Sequence, residues 1–169
     1  MSDLDGRIGE AWAGEVPNGS HINLVVARRG SPTAAAAATV LGSPRPGHAP
    51  FLVCPTGGGE IVRPPTIVVN KSTIADDRLG RITWGAAQLG IAQGVLDAHA
   101  DGTLGASAAD ELVLLVALWV DPAAHDETAV RVANRAAMRA AIADAVAPAA
   151  MDDLLARREQ VGNAFYGGD

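Results

Sequence analysis

The sequence predicts a single α+β domain, and three observations carry that prediction. At 169 residues the chain is long enough to bury one sizeable core. Strand-like and helix-like runs are both present, but they do not alternate regularly as a doubly wound parallel sheet requires. No low-complexity linker or internal repeat divides the sequence, so residues 1–169 are read as one domain.

Taken in order, Arg7–Ala13 is the least marked of the strand candidates. His21–Ala27 follows as a clearer strand, rich in β-branched and apolar residues. A period of two puts Ile22, Leu24 and Val26 on one apolar face, which should lie on the core. His21, Asn23 and Val25 share the other face, which should meet solvent or a partner. Gly30 makes a turn, and Ser31 and Pro32 suit an N-cap and a first helical position for the alanine-rich run at 33–41. FLVC (51–54) and TIVVN (66–70) read as strands, separated by a loop too rich in Gly and Pro to be either element. Trp84–Ala100 is predicted helical, with Ala87, Ile91 and Val95 along one stripe and Gln88 at its border. The run ELVLLVALWV (111–120) is apolar throughout; its Val and Trp content and its end at Asp121-Pro122 favour a strand. Residues 126–146 form an amphipathic helix with Val130, Ala133, Ala137 and Ile142 near one stripe. Beyond Pro148, MDDLLARRE (151–159) reads as helical and YGGD (166–169) as loose.

Composition narrows the function. Hydrophobic residues make up 49% of the chain but aromatics only 4%, so Ala, Val and Leu do most of the burying. A net charge of −6 argues against a nucleic-acid partner or an anionic membrane surface. One cysteine, Cys54, excludes an internal disulfide and a cysteine-rich zinc site. The first ten residues lack the basic and apolar runs of a signal peptide, and no apolar run approaches the roughly 20 residues that span a bilayer, so a cytoplasmic location is expected. Of the 13 basic residues only Lys71 is a lysine. Chance accounts for that, or else a compact ammonium is wanted where a guanidinium will not serve. Phosphate-loop, dinucleotide, zinc-protease and nucleophile-elbow motifs are absent, and PTGGGE (55–60) lacks the strand-to-helix context of a phosphate loop.

Five polar residues resist explanation as ordinary solvated surface: His21, Asn23, Lys71, Thr73 and Gln88. Each also has a plain reading, the histidine as strand-edge packing, the threonine as a cap, the glutamine as a wet helix edge. Periodicity alone does not connect them. The segments that contain them, HINLVVARRGSP, NKSTIADDR and WGAAQLGIAQGVLDA, resemble the formaldehyde-activating enzymes in order and near-spacing from about Gly9 to Val146. The most specific pieces are the His-Ile-X-Leu strand running into Arg-Gly-Ser-Pro and the Asn-Lys-X-Thr-Ile corner.

That resemblance implies a fold of the ribosomal protein S5 domain 2-like type, a small antiparallel sheet covered by helices. It implies a core at about 9–146 with a helical tail at 147–169, and a homo-oligomeric ring of five with active sites between subunits. It implies condensation of formaldehyde with tetrahydromethanopterin to the methylene derivative and water, a hydro-lyase reaction run in the condensing direction. His21 falls on the proton donor of the family; Asn23, Leu52, Lys71, Thr73 and Gln88 fall on residues that bind the pterin. No metal or cofactor beyond that pterin co-substrate is implied. The chemistry suits these residues, since the carbinolamine formed first must lose a poor leaving group, hydroxide, and an imidazole acid assists that loss near neutral pH. The chain departs from the family at Asn23, where an aspartate is usual, at Leu89, where a histidine follows the glutamine, and between Cys54 and Pro65. Those departures leave two alternatives to the parent reaction: condensation of an aldehyde with a different amine or pterin, and a non-catalytic ring that binds a ligand.

Overall fold

The computed structural model describes residues 3–162 and contains a five-stranded sheet with the long helix Glu127–Val146 packed on one face of its first two strands. The strands are β1 (Ile8–Ala13), β2 (Ser20–Arg28), β3 (Phe51–Leu52), β4 (Thr66–Asn70) and β5 (Leu112–Val120). Their order in the sheet is β1-β2-β5-β4-β3. The helices are α1 (Pro32–Leu41), α2 (Asp77–Arg81), α3 (Gln88–Ala100), α4 (Ala108–Glu111), α5 (Glu127–Val146) and α6 (Met151–Ala156). A π-helical segment, Ile82–Ala87, joins α2 to α3, and a 3₁₀ turn, Arg158–Gln160, follows α6.

The α+β reading holds. All strand pairs are antiparallel except β4 with β5, which run parallel because the α2–α3 crossover returns the chain to its starting end. The predicted alternation of β2 is seen directly: Ile22, Leu24 and Val26 are fully buried, whereas His21, Asn23 and Val25 are half-exposed. On β5, Leu114, Val116 and Leu118 join the buried face, while Leu115, Ala117 and Trp119 share the face of His21.

Sequence-local signals start the helices where expected. Ser31 caps α1 by accepting from the Ala34 amide at 3.1 Å, with Pro32 opening the helix. Asp126 caps α5 through the Ala129 amide at 3.0 Å. Two boundaries differ from the reading above. The helix expected from Trp84 is entered earlier, because Asp76 caps α2 by accepting from the Leu79 amide at 2.7 Å. The strand expected over 51–54 is regular only at Phe51 and Leu52; the Val53 amide still donates to the Thr66 carbonyl of β4 at 2.9 Å, and the Cys54 amide turns to Gln88. The predicted helix at 151–159 is broken at Arg157, and the predicted loose end at 166–169 lies outside the described residues.

Helix α5 lies on the buried side of β1 and β2, and α3 lies against α5. Both contacts depend on missing side chains. A Cβ on Gly9 would meet the Ala141 carbonyl of α5, and a Cβ on Gly94 would sit 2.7 Å from the Cβ of Met138. Ile91, Val95, Val130, Ala137, Met138 and Ile142 thereby close over the sheet in one cluster with Leu24, Leu118 and Val116. Burial of these aliphatic groups drives the fold at roughly 25 cal/mol per Å² of apolar surface. None of the described helices is long and apolar enough to cross a membrane.

Substitution of Gly94 by alanine forces α3 away from Met138 and should cost about 1–3 kcal/mol, the usual penalty of overpacking. Chemical denaturation of the Gly94→Ala variant measures it; an unchanged midpoint would mean that the two helices are not seated by this contact.

Candidate active site

The face of the sheet opposite α5 carries three of the polar residues singled out from the sequence, His21, Asn23 and Lys71. Strand register sets their spacing. Trp12 of β1 lies opposite His21 of β2, and His21 lies opposite Trp119 of β5. Glu10 lies opposite Asn23, and Asn23 opposite Ala117. Ala117 pairs in turn with Val69 of β4, two residues before Lys71. Only a methyl group therefore stands on β5 between the end of β4 and Asn23, and the lysine stem reaches across that gap.

The result is a chain of short polar contacts. Nε2 of His21 is 2.6 Å from Oε1 of Glu10. Nδ1 of the same ring is 2.7 Å from Nζ of Lys71, which also donates to Oδ1 of Asn23 at 2.8 Å. The chemistry of the two ends assigns the middle. A carboxylate only accepts and an ammonium only donates, so His21 carries its proton on Nε2 and accepts on Nδ1. The His21 side chain is only 12% exposed, whereas that of Glu10 is 60% exposed. Trp12 flanks the imidazole with ring centroids 6.1 Å apart, and Trp12 and Trp119 pack at 5.1 Å. The lining beside the histidine is thus aromatic and poorly hydrated.

Lys71 is exposed as a residue, but partial burial of its ammonium against the sheet lowers its pKa from the ordinary lysine value. The negative charge of Glu10 pulls in the opposite direction and is the lesser effect. Asn23 supplies a neutral acceptor where a carboxylate would have held the ammonium charged.

The backbone that presents these groups is fixed from the core side. Asn134 of α5, fully buried, donates to Oγ of Ser20 and to the Val130 carbonyl, both at 2.8 Å, which anchors the start of β2. Buried Asn70 donates to the carbonyls of Gly47 at 2.6 Å and Ser72 at 2.5 Å. The Lys71 amide donates to the Leu118 carbonyl at 2.6 Å, and Ser72 Oγ to the Val120 carbonyl at 3.0 Å. The corner bearing the lysine is held on several sides.

The structure brings together His21, Asn23 and Lys71 and sets the other predicted residues apart from them. Leu52 lies on the same sheet face but on β3 at the far edge, 37% exposed. Thr73 follows the Lys71 corner, where its hydroxyl lies 3.1 Å from Nε2 of His48; Nδ1 of His48 donates to the Asn70 carbonyl at 2.8 Å. Gln88 is engaged locally, its amide nitrogen donating to the Trp84 carbonyl and its Oε1 accepting from the Cys54 amide at 3.0 Å. Leu89 is exposed. A separate cleft of about 790 Å³, lined by Ile74, Asp76, Arg81, Trp84 and Glu127 among others, opens beside the π-helical segment that leads to Gln88. Among the described residues no group of three or more His, Cys, Asp and Glu side chains could hold a metal ion.

Glu10, Trp12 and His48 escaped the sequence reading. Alternation along IGEAWA places Glu10 and Trp12 on one face, and pairing β1 with β2 would have put that face beside His21. His48 sits in a loop without periodicity, so no such signal existed for it.

Comparison with known proteins adds an independent line. The sequence profile of the family described as formaldehyde-activating enzyme (Fae) matches residues 8–166. The chain is 32% identical over 163 residues to the 5,6,7,8-tetrahydromethanopterin hydro-lyase of Methanosarcina barkeri, covering 96% of this chain and 91% of that protein. It is also 31% identical over 139 residues to the bifunctional enzyme Fae/Hps of Archaeoglobus fulgidus, and 32% identical over 135 residues to that of Methanothrix thermoacetophila. These matches cover 82% and 80% of this chain but only 35% and 34% of the two bifunctional proteins, so the chain spans about a third of their length.

The contacts of His21 make a spectroscopic prediction. In ¹⁵N-detected imidazole spectra of the unliganded protein, Nε2 of neutral His21 should show the protonated signature and Nδ1 the unprotonated one. The reverse assignment would mean that Lys71 does not donate to this ring.

Proposed function

This chain belongs to the formaldehyde-activating enzyme family, and from that premise we propose that it condenses formaldehyde with tetrahydromethanopterin to methylene-tetrahydromethanopterin and water. His21 is the general acid. The observation that carries the reading is the position of the imidazole on the sheet face opposite α5, hydrogen-bonded on one side to Glu10 and on the other to Lys71.

The first amine of the pterin adds to formaldehyde and gives a carbinolamine. Loss of hydroxide from it is slow without a proton. With Nε2 committed to Glu10, Nδ1 is the nitrogen left to act, and a proton that it takes from Lys71 passes to the departing hydroxyl as the C–O bond breaks. The Lys71 ammonium recharges Nδ1, and its lowered pKa makes that transfer easier than from an ordinary lysine. Glu10 steadies the imidazolium when it forms, as a carboxylate does for a catalytic histidine elsewhere. The second amine then closes on the iminium carbon, and holding both nitrogens in place removes the entropic cost of ring closure. Leu52, Thr73 and Gln88, with Asn23 and Lys71, are assigned to pterin binding. No cofactor beyond the pterin co-substrate belongs to this reading.

Because Leu52, Thr73 and Gln88 stand apart from His21 within one chain, the reading includes a ring of five in which neighbouring subunits complete each site. The half-exposed residues Val25, Leu115 and Trp119, with the exposed Ile8, form the face that such a ring buries. A cytoplasmic location belongs to the same reading. Asn23 supports a second reading, in which the same condensation serves a different reduced pterin, because an amide does not stabilise a developing cation as a carboxylate does.

His21→Ala should lower the rate of methylene-tetrahydromethanopterin formation by about 10²–10⁴-fold, to near the spontaneous reaction, while the oligomer seen by sedimentation stays intact. Full activity of this variant would remove His21 from the mechanism. Parallel assays with tetrahydromethanopterin and tetrahydrofolate separate the two readings of the acceptor.

A further inference from the structure

Nucleophilic side chains in enzymes are recognised by a recurrent arrangement, a nucleophile hydrogen-bonded to a base whose far side is oriented by a third group. Lys71 Nζ, His21 and Glu10 have that arrangement, at 2.7 Å and 2.6 Å. The nitrogen of the imidazole turned away from Glu10 faces an amine, and a free amine adds readily to formaldehyde. We infer that Lys71 is a covalent nucleophile: its Nζ takes up formaldehyde as a methylene iminium and passes the carbon to the pterin. The inference rests on the reading of this protein as a formaldehyde-condensing enzyme and replaces one step of it: the lysine amine, not the pterin amine, bonds first to the formaldehyde carbon.

Three independent features favour the lysine. It is the only one in a sequence that otherwise uses arginine, and a guanidinium has no lone pair to offer. Its hydrogen-bond partner Asn23 is neutral, so no carboxylate bonds to the ammonium and holds its proton. Burial lowers its pKa, which raises the fraction of free amine near neutral pH.

The steps balance without an oxidant or reductant. Lys71 gives one ammonium proton to Nδ1 of His21, whose Nε2–H remains on Glu10. The freed Nζ lone pair forms the N–C bond as the carbonyl pair moves to oxygen, and the extra proton on Nζ shifts to that oxygen, giving a hydroxymethylamine. His21 returns its Nδ1 proton to the hydroxyl; water departs and the Nζ lone pair forms the C=N bond of the iminium. The first pterin amine adds to this carbon and yields its proton to Nδ1. That proton moves to Nζ, the C–Nζ bond breaks, and the carbon leaves as an iminium on the pterin. The second pterin amine closes the ring, and its proton restores the Lys71 ammonium. Formaldehyde and two N–H groups become one N–CH₂–N unit and one water.

Reductive trapping tests this. The intact wild-type protein is treated with formaldehyde and cyanoborohydride, digested, and mapped by mass spectrometry, with the chain unfolded in sodium dodecyl sulfate as reference. Lys71 should acquire a methyl group several-fold faster in the folded protein than in the unfolded one. Tetrahydromethanopterin should suppress the trapping, His21→Gln should slow it, and Lys71→Arg should reduce condensation to the spontaneous rate. Methylation of Lys71 no faster in the folded than in the unfolded protein would overturn the inference, as would a Lys71→Arg variant that condenses at the wild-type rate. Fast trapping at Lys71 in a protein that does not act on tetrahydromethanopterin would support the lysine step and discard that acceptor instead.

Discussion

The candidate site follows from a sheet in which β1, β2 and β5 bury one face beneath α5 and leave the other to the polar residues. Helices α3 and α5 come close enough to seal the buried face because Gly9 and Gly94 present no side chain at the points of contact. Strand alternation then does the rest. Once Ile22 and Leu24 are committed to the core, His21 and Asn23 must stand on the other face. A slip of one residue in β2 would bury the imidazole and expose the leucine, so the apolar residues of this strand specify the position of the polar ones.

On that open face the three strands β1, β2 and β5 and the corner after β4 each contribute one part. Glu10 fixes one nitrogen of His21, Lys71 the other, and Trp12 and Trp119 wall the ring. The reach of Lys71 depends on Ala117, since a larger residue at that point of β5 would stand between the lysine and Asn23. Asn23 brings no negative charge to this face, so the Lys71 ammonium, whose pKa burial lowers, has an amide rather than a carboxylate as its acceptor.

The parts of this arrangement legible in the sequence are those governed by local rules. The face assignment of His21 and Asn23 came from a period of two, the start of α1 from Ser31-Pro32, and the stripe of α5 from a period of 3.6. The parallel pairing of β4 with β5 was not legible, because the intervening segment holds its first turns through the Asp76 cap and a π-helical stretch rather than one regular pattern. Glu10 was missed for a related reason. Its strand has too loose an alternation to mark a face by itself, and its partnership with His21 exists only once β1 is laid antiparallel to β2. The resemblance that pointed to Leu52, Thr73 and Gln88 grouped them with His21, whereas within one chain they lie at the sheet edge and on neighbouring segments.

The central claim is that Glu10, His21 and Lys71 act as one unit. A double-mutant cycle on the rate at which formaldehyde and cyanoborohydride methylate Lys71, with Glu10→Gln and His21→Gln, tests it most directly, because groups that act together lose their effect together. The account predicts that the double variant is no slower than the slower of the two single variants. Losses that multiply would contradict it and would leave three side chains that are neighbours only.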